Sequence, residues 1–344
     1  PQAKLIFITS LLLGTTITIS SNHWVMAWAG LEINTLAVLP LIAKPHHPRA
    51  IEAATKYFLT QAAASALVLF ASMTNAWHTG QWDITQLNHP VSCLIMTAAI
   101  SMKLGLVPFH FWFPEVLQGS SLMTGLLLST AMKFPPMTLL LMTSQSLNPT
   151  LLATMAILST AIGGWMGLNQ TQVRKIMAFS SISHLGWMAI ITVYSPKLAL
   201  LNFYLYVMIT ATVFLTLNSM NVLKLSTLMT TWTKTPSLSA ILLLTLLSLA
   251  GLPPLTGFLP KWLIIQELTK QDMALAAVMI SLLSLLSLFF YLRLAYCATI
   301  TLPLHTTNHM KQWYHNKPII ALTAVLNTLS LILLPMSPMI STII

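Results

Sequence analysis

The chain has 344 residues, 56% of them hydrophobic and only 6% charged, and its mean hydropathy is +0.79. A soluble domain covers its surface with about 25% charged residues, so this composition excludes that class and makes lipid the solvent. The formal net charge of +10 would suggest a nucleic-acid partner in a soluble protein, but here the basic residues gather in short loops, where they set topology. No basic-aromatic patch for nucleic acid stands beside helices this apolar.

About 20 apolar residues cross the hydrocarbon core as a helix. On that rule the chain reads as an all-α polytopic membrane protein with eleven spans, near 5–21, 23–43, 51–76, 91–114, 119–143, 149–168, 173–194, 198–223, 237–268, 274–298 and 318–334. No linker is long enough to mark a second domain, so residues 1–344 are expected to form one membrane domain. The first run shows no cleavable signal pattern and becomes the first span. The chain opens at Pro1 rather than Met, so a few preceding residues are expected.

The second span carries Glu32, the only acid far from a loop; Asp83, Glu115, Glu267 and Asp272 lie at or near span ends. Lys44-Pro45-His46-His47-Pro48 breaks the run that follows, as do Asn88-His89-Pro90, Asn148-Pro149 and Ser195-Pro196 further on. His46 and His47 have no third ligand nearby, which argues against a metal site. The fourth span contains Lys103 and Pro108. The fifth contains Lys133, with Ser129 and Thr130 four and three residues before it on the same helical face. Arg174 and Lys175 anchor the start of the seventh span, where Ser180, Ser181 and His184 share a face. The ninth contains Gly251, Pro253, Pro254 and Lys261. His110, seven residues after Lys103, is a weaker candidate. Cys93 and Cys297 read as buried structural thiols, and two cysteines cannot ligate an iron–sulfur cluster that needs four. Trp24, Trp77, Trp82, Trp262 and Trp313 fall near expected interfaces, where indoles settle.

Eleven spans place Lys4, Lys44, Arg49, Arg174, Lys175, Lys224, Lys234, Lys311 and Lys317 on one side, against Lys197 and Lys270 on the other. The N-terminus is therefore expected on the positive side and the C-terminus opposite. The fourth and ninth spans share the order Gly-Leu-x-Pro, an aromatic, and a lysine near the proline. Spans one to five (about 5–143) and six to ten (about 149–298) then form two repeats, inverted because five is odd, with one extra C-terminal helix near 318–334. Interrupted segments at matching places in two halves point to a transporter's working site. Pro108 is expected to displace the carbonyl of Leu104, and Pro253 and Pro254 those of Leu249 and Ala250. Carbonyls freed at membrane depth need protein or water partners.

Glu32, Lys103, Lys133 and Lys261 sit near the centres of apolar runs, where a charge costs about 2.5–3.5 kcal/mol on insertion scales and marks an ion or proton route. Burial disfavours an ammonium group and a nearby carboxylate restores it. A buried lysine can thus gain and lose a proton, which an arginine cannot. If Glu32 approaches Lys103, re-pairing of that carboxylate would switch the lysine between holding and releasing. No GxGxxG, P-loop or nucleophile–base constellation is present.

Five stretches carry a resemblance: Trp28-Ala-Gly-Leu-Glu-Ile-Asn-Thr35, His47 to Gln61, Lys103-Leu-Gly-Leu-Val-Pro-Phe-His-Phe-Trp-Phe-Pro-Glu115, Arg174 to Gly186, and Gly251-Leu-Pro-Pro-Leu-Thr-Gly257. Together, in order and over the whole length, they resemble the NADH dehydrogenase subunit 2 family of mitochondrial respiratory complex I, in a vertebrate, bird-like form. The resemblance implies an antiporter-like fold of two inverted five-helix units, without three N-terminal helices that bacterial relatives carry. It implies that Glu32 and Lys103 form the carboxylate–lysine pair of the first unit. It likewise makes Lys133 the connecting lysine, His184 part of a central polar axis, and Lys261 the lysine of the second broken helix. Pro135-Pro136, directly after Lys133, departs from the family pattern and is expected to alter that helix locally. The resemblance implies proton translocation across the inner mitochondrial membrane, with the N-terminus in the matrix and the C-terminus in the intermembrane space. NADH, FMN, iron–sulfur clusters and ubiquinone would be bound by other subunits, with no cofactor on this chain. Other membrane-arm subunits would be its partners, together with phospholipids such as cardiolipin. Two rivals are a free-standing cation/proton antiporter, which would exchange ions without partners, and a structural subunit whose buried charges are relics.

Overall fold

The computed structural model describes residues 2–44, 47–299 and 321–336. Their secondary structure is helical apart from two isolated bridges, His23 with Asp83 and Gln172 with Lys224. By contacts the chain divides into two compact units, residues 1–159 and 160–344.

The first unit contains α1 (Gln2–Ser20), α2 (Trp24–Ala43), α3 (Pro48–Thr79), α4 (Pro90–Leu104), α5 (Trp112–Gly119), α6 (Leu122–Ser129), a 3₁₀ turn (Ala131–Lys133), α7 (Phe134–Met142) and the start of α8 (Pro149–Gly167). Prolines 48, 90 and 149 open α3, α4 and α8, in the first turn, where a missing N–H is harmless. His47 and His89 cap α3 and α4 by accepting from the backbone N–H of Arg49 and Ser92. α1 and α2 cross where glycines let backbones meet: a Cβ on Gly30 would stand 2.9 Å from the Gly14 carbonyl. The turn between them is tied to the α3–α4 turn by Trp24 N–H to the Trp82 carbonyl (3.2 Å) and Ile84 N–H to the Asn22 carbonyl (3.1 Å). Trp77 is exposed, as an interfacial indole is expected to be, whereas Trp24 is fully buried inside the unit.

The second unit holds the end of α8, then α9 (Val173–Ile191), α10 (Pro196–Met220), the short α11 (Leu225–Met229) and α12 (Thr231–Lys234), α13 (Pro236–Ala250), α14 (Phe258–Lys270), α15 (Ala274–Thr299), α16 (Ala321–Ile332) and a 3₁₀ turn at Leu334–Met336. The two short helices lie where the sequence reading placed only a loop. α9 is buried along nearly its whole length, packed by α10, α14 and α15. Arg293 of α15 donates to the carbonyls of Leu168 and Gln170 just past the end of α8, where orphan carbonyls and the helix dipole favour a cation. Lys197 and Lys270, the two lysines expected on the charge-poor side, line one groove with Glu267, and Lys270 pairs with Glu267 at 3.6 Å. Cys93 is buried and Cys297 half-buried. His46, Lys311, Trp313, Lys317 and the first residues of the span expected at 318–334 lie outside the described residues.

Both expected interruptions are present, and they match in detail. α4 and α13 each have 15 residues, and each is followed by a seven-residue break, 105–111 and 251–257. Gly105 (φ +80°) and Gly251 (φ +82°) end them in the left-handed region, which glycine enters without strain. Leu106 N–H then reaches back to the Ser101 carbonyl (2.9 Å) and Leu252 N–H to that of Leu247 (3.4 Å). The next turn closes with Phe109 N–H on Leu106 (2.8 Å) and Leu255 N–H on Leu252 (3.0 Å). The glycine, not the proline, therefore terminates each helix; the prolines sit inside the turns.

The fifth span, expected to run unbroken over 119–143, is also interrupted. Thr130 leaves α-helical geometry (φ −114°, ψ −76°), and a 3₁₀ turn carries the chain through Lys133 into α7. Pro135 and Pro136 lack the N–H groups that would bond the carbonyls of Ala131 and Met132, and the ring of Pro135 crowds the former. The Phe134 N–H bonds Ala131 instead.

Seven helices among the described residues are long and apolar enough to cross a membrane: α1, α2, α3, the Leu122–Met142 stretch, α8, α10 and α15. α4 and α13 are apolar but shorter, being first halves of broken spans. α9 falls outside the seven because Arg174, Lys175, three serines and His184 lower its hydropathy.

Candidate functional site

In the first unit Lys103, in the last turn of α4, and Lys133, ending the 3₁₀ turn, are 6% and 3% exposed. Both line one cavity with Asn34, Thr35, Tyr57 and Gln61, holding about 20 Å³ of space for a water's centre. That is room for one water. The Lys133 amine lies 4.8 Å from the centroid of the Phe113 ring, a cation–π distance. Phe113 belongs to α5, so the second half of the broken helix supports this lysine. The Lys103 amine is buried without a hydrogen-bond partner.

Glu32, half-buried on α2, forms no ion pair with Lys103 among the described residues. Its carboxylate accepts instead from Thr35 Oγ1 at 3.1 Å. The Ser129 and Thr130 hydroxyls donate to the Leu126 carbonyl, at 3.0 and 2.7 Å, and both residues are buried, as Lys133 is. The three- and four-residue spacing was drawn for an unbroken helix, whereas Thr130 leaves α-helical geometry and a 3₁₀ turn leads to Lys133. His110 is buried in the 105–111 turn, its ring centroid 4.2 Å from that of Phe111.

In the second unit Lys261 projects from the first turns of α14 and donates to the Ala250 carbonyl at 2.7 Å. Its amine lies 5.9 Å from the Trp187 ring centroid. Lys261 and His184 line one smaller cavity, about 10 Å³, with Asn202, Tyr206 and Ser248. The His184 and Tyr206 rings are 5.6 Å apart. Ser180 and Ser181 bond their own helix at Met177 and Ala178, and the buried phenols of Tyr291 and Tyr206 lie against them.

The sequence reading missed Asn34, Tyr57, Gln61, Asn202 and Tyr206, polar residues inside apolar spans. Tyr57 and Gln61 stand four apart, which puts them on one face of α3. It also missed Lys56, which bridges Glu52 (2.5 Å) and Glu115 (2.6 Å) and so ties α3 to α5, and Arg293.

Helices long enough for a bilayer, glycine-ended breaks, and lysines buried beside them define a polytopic membrane protein of the antiporter-like class. Residues 21–287 match the family described as "NADH:quinone oxidoreductase/Mrp antiporter, TM", and residues 288–341 match "NADH dehydrogenase subunit 2 C-terminus". The chain is 74% identical over 344 residues to NADH-ubiquinone oxidoreductase chain 2 of Mareca americana, covering 100% of this chain and 99% of that one. It is 73% identical over 340 residues to the same chain of Struthio camelus, covering 99% and 98%. A chain of respiratory complex I from Thermus thermophilus superposes with a TM-score of 0.85 at 27% identity, covering 97% of this chain and 80% of that chain. The chain belongs to the NADH-ubiquinone oxidoreductase chain 2 family, a membrane subunit of complex I.

Proposed function

We infer that the chain translocates protons as a core membrane subunit of NADH:ubiquinone oxidoreductase, with Glu32, Lys103, Lys133, His184 and Lys261 as its proton-transfer groups. The observation that carries this reading is the burial of Lys103 and Lys133 around one cavity beside broken helices. A desolvated amine that can be neutral or charged stores a proton, and a nearby carboxylate biases which state it holds. The membrane potential opposes each outward proton by about 2.3 kcal/mol per 100 mV. The path must therefore never be wet from end to end, and cavities with room for about one water suit that need.

On this reading the electrons flow elsewhere: NADH, FMN, iron–sulfur clusters and ubiquinone would be bound by other subunits, and the neighbours of this chain would be other membrane-arm subunits and phospholipids such as cardiolipin. The same reading takes the chain as one membrane domain of eleven spans in the inner mitochondrial membrane. It comprises two inverted five-helix repeats and one C-terminal helix, with the N-terminus in the matrix and the C-terminus in the intermembrane space. The paired seven-residue breaks support the repeats. Full-length likeness to chain 2 relatives favours the subunit over a free-standing antiporter.

The test is Lys103→Met and Lys261→Met in the assembled complex, read as protons moved per electron in proteoliposomes. Loss of pumping with normal assembly is expected. Unchanged pumping would make the buried charges relics.

A further inference from the structure

Among the buried polar groups of the first unit without a hydrogen-bond partner are the Lys103 amine and the Tyr57 hydroxyl, and both residues line the same cavity. A buried polar group left unmet is costly, and about 20 Å³ of space beside these two accommodates one water. The Glu32 carboxylate stands beside this cavity, hydrogen-bonded to Thr35 of its lining at 3.1 Å, and among the described residues it forms no ion pair with the lysine. The other hydroxyl beside Glu32 is already engaged. Thr35 has a single proton, directed at Glu32's main-chain carbonyl (2.9 Å) and carboxylate (3.1 Å).

Tyr57 is also held in register with the lysine. Its ring meets Trp112 edge-on, with centroids 5.7 Å apart at 61°. The Trp112 indole N–H donates to the carbonyl of Met102, the residue before Lys103, at 3.1 Å. The phenol, the first half of the broken helix and its second half are thus fixed to one another.

We propose that Tyr57 is a relay residue: its hydroxyl, together with one water, joins the Lys103 amine to the Glu32 carboxylate. This rests on the reading that Lys103 and Glu32 exchange protons. As the Lys103 ammonium gives up a proton through the water to the phenol oxygen, the phenol passes its own proton to the Glu32 carboxylate, which has to turn from Thr35 to reach it because the two are not hydrogen-bonded in this structure. One O–H bond forms and one breaks at the same oxygen. The phenol stays neutral, the amine becomes neutral and the carboxylate becomes a carboxylic acid. Rotation of the O–H about the C–O bond resets the relay, and the return transfer runs the same steps backward.

Tyr57→Phe keeps the ring and its contact with Trp112 and deletes only the oxygen. In the assembled complex, NADH-driven proton transport is expected to fall by about tenfold or more, toward the ~10²–10⁴-fold contributed by positioned proton-transfer groups, with assembly unchanged. A role in packing alone predicts normal pumping by Tyr57→Phe and failed assembly by Tyr57→Leu, and that pair of results would overturn the relay. Normal pumping by Tyr57→Phe beside lost pumping by Lys103→Met would overturn it too, while leaving the proposed function standing. Normal pumping by both variants would remove both readings. If Tyr57→Phe fails to assemble, a density map of the unmodified complex decides. A water bonded to both Tyr57 Oη and Lys103 Nζ supports the relay, and a dry cavity ends it.

Discussion

The Lys261 amine occupies the carbonyl of Ala250 at 2.7 Å, a carbonyl that an unbroken helix would have bonded to residue 254, which is a proline. The lysine thus mends the backbone at the break it is expected to serve. Losing the proton weakens a charge-assisted bond but leaves the amine able to donate, so the contact survives both protonation states.

Lys261→Met should therefore both stop pumping and destabilise the unit, by about 1–3 kcal/mol for the carbonyl left unmet. Lys261→Arg should recover stability through its remaining donors but not pumping, because arginine keeps its proton. Thermal melting of the purified complex alongside proton-transport assays separates the two effects. Equal recovery of both by arginine would contradict the argument.

Alanine at either helix-ending glycine should destabilise by about 1–2 kcal/mol, the penalty of left-handed geometry for an L-residue. Gly251→Ala should be the more damaging, because its methyl would stand 2.9 Å from Lys261 Cδ, whereas at Gly105 the nearest atom is 3.6 Å away on Trp112. Melting temperatures of the two variants, measured side by side, check the order.

Replacing Pro135 and Pro136 together by alanine should let α6 run on into α7. Lys133 would then leave its place over Phe113, and pumping should fall although every ionisable group remains. The expected signature is an unchanged or higher melting temperature with reduced proton transport. Normal transport would show that the 3₁₀ turn does not position the lysine.

Arg293→Leu should unfasten the end of α8, with a loss of about 1.5–3 kcal/mol for hydrogen bonds made by a charged group. Hydrogen–deuterium exchange should quicken in the peptide around residues 167–172, with Arg293→Lys intermediate. Unchanged exchange there would mean that the guanidinium is not what closes that end.

Much of the helical plan was legible because it is local. Apolar run length marked the helices, and the prolines at 48, 90, 149 and 196 marked helix starts, since a proline tolerates only the first positions. The broken fourth and ninth spans were visible from their Gly-Leu-x-Pro order. The break before Lys133 was announced only by Pro135 and Pro136, and the unbroken span drawn over 119–143 overlooked it.

The chain's order of residues alone determined that this is a membrane protein, where most of its long helices stop, and which charges lie deep in them. All of these follow from hydrophobicity and backbone sterics acting over a few neighbouring positions. Only the tertiary structure decided what those charges meet. Lys103 shares its cavity with Tyr57 and Gln61 of another helix, Lys133 leans on a ring from α5, and Arg293 reaches carbonyls more than a hundred residues earlier. Such partners are chosen by how helices pack, and packing depends on the shapes of surfaces far apart in sequence, which no local spacing records.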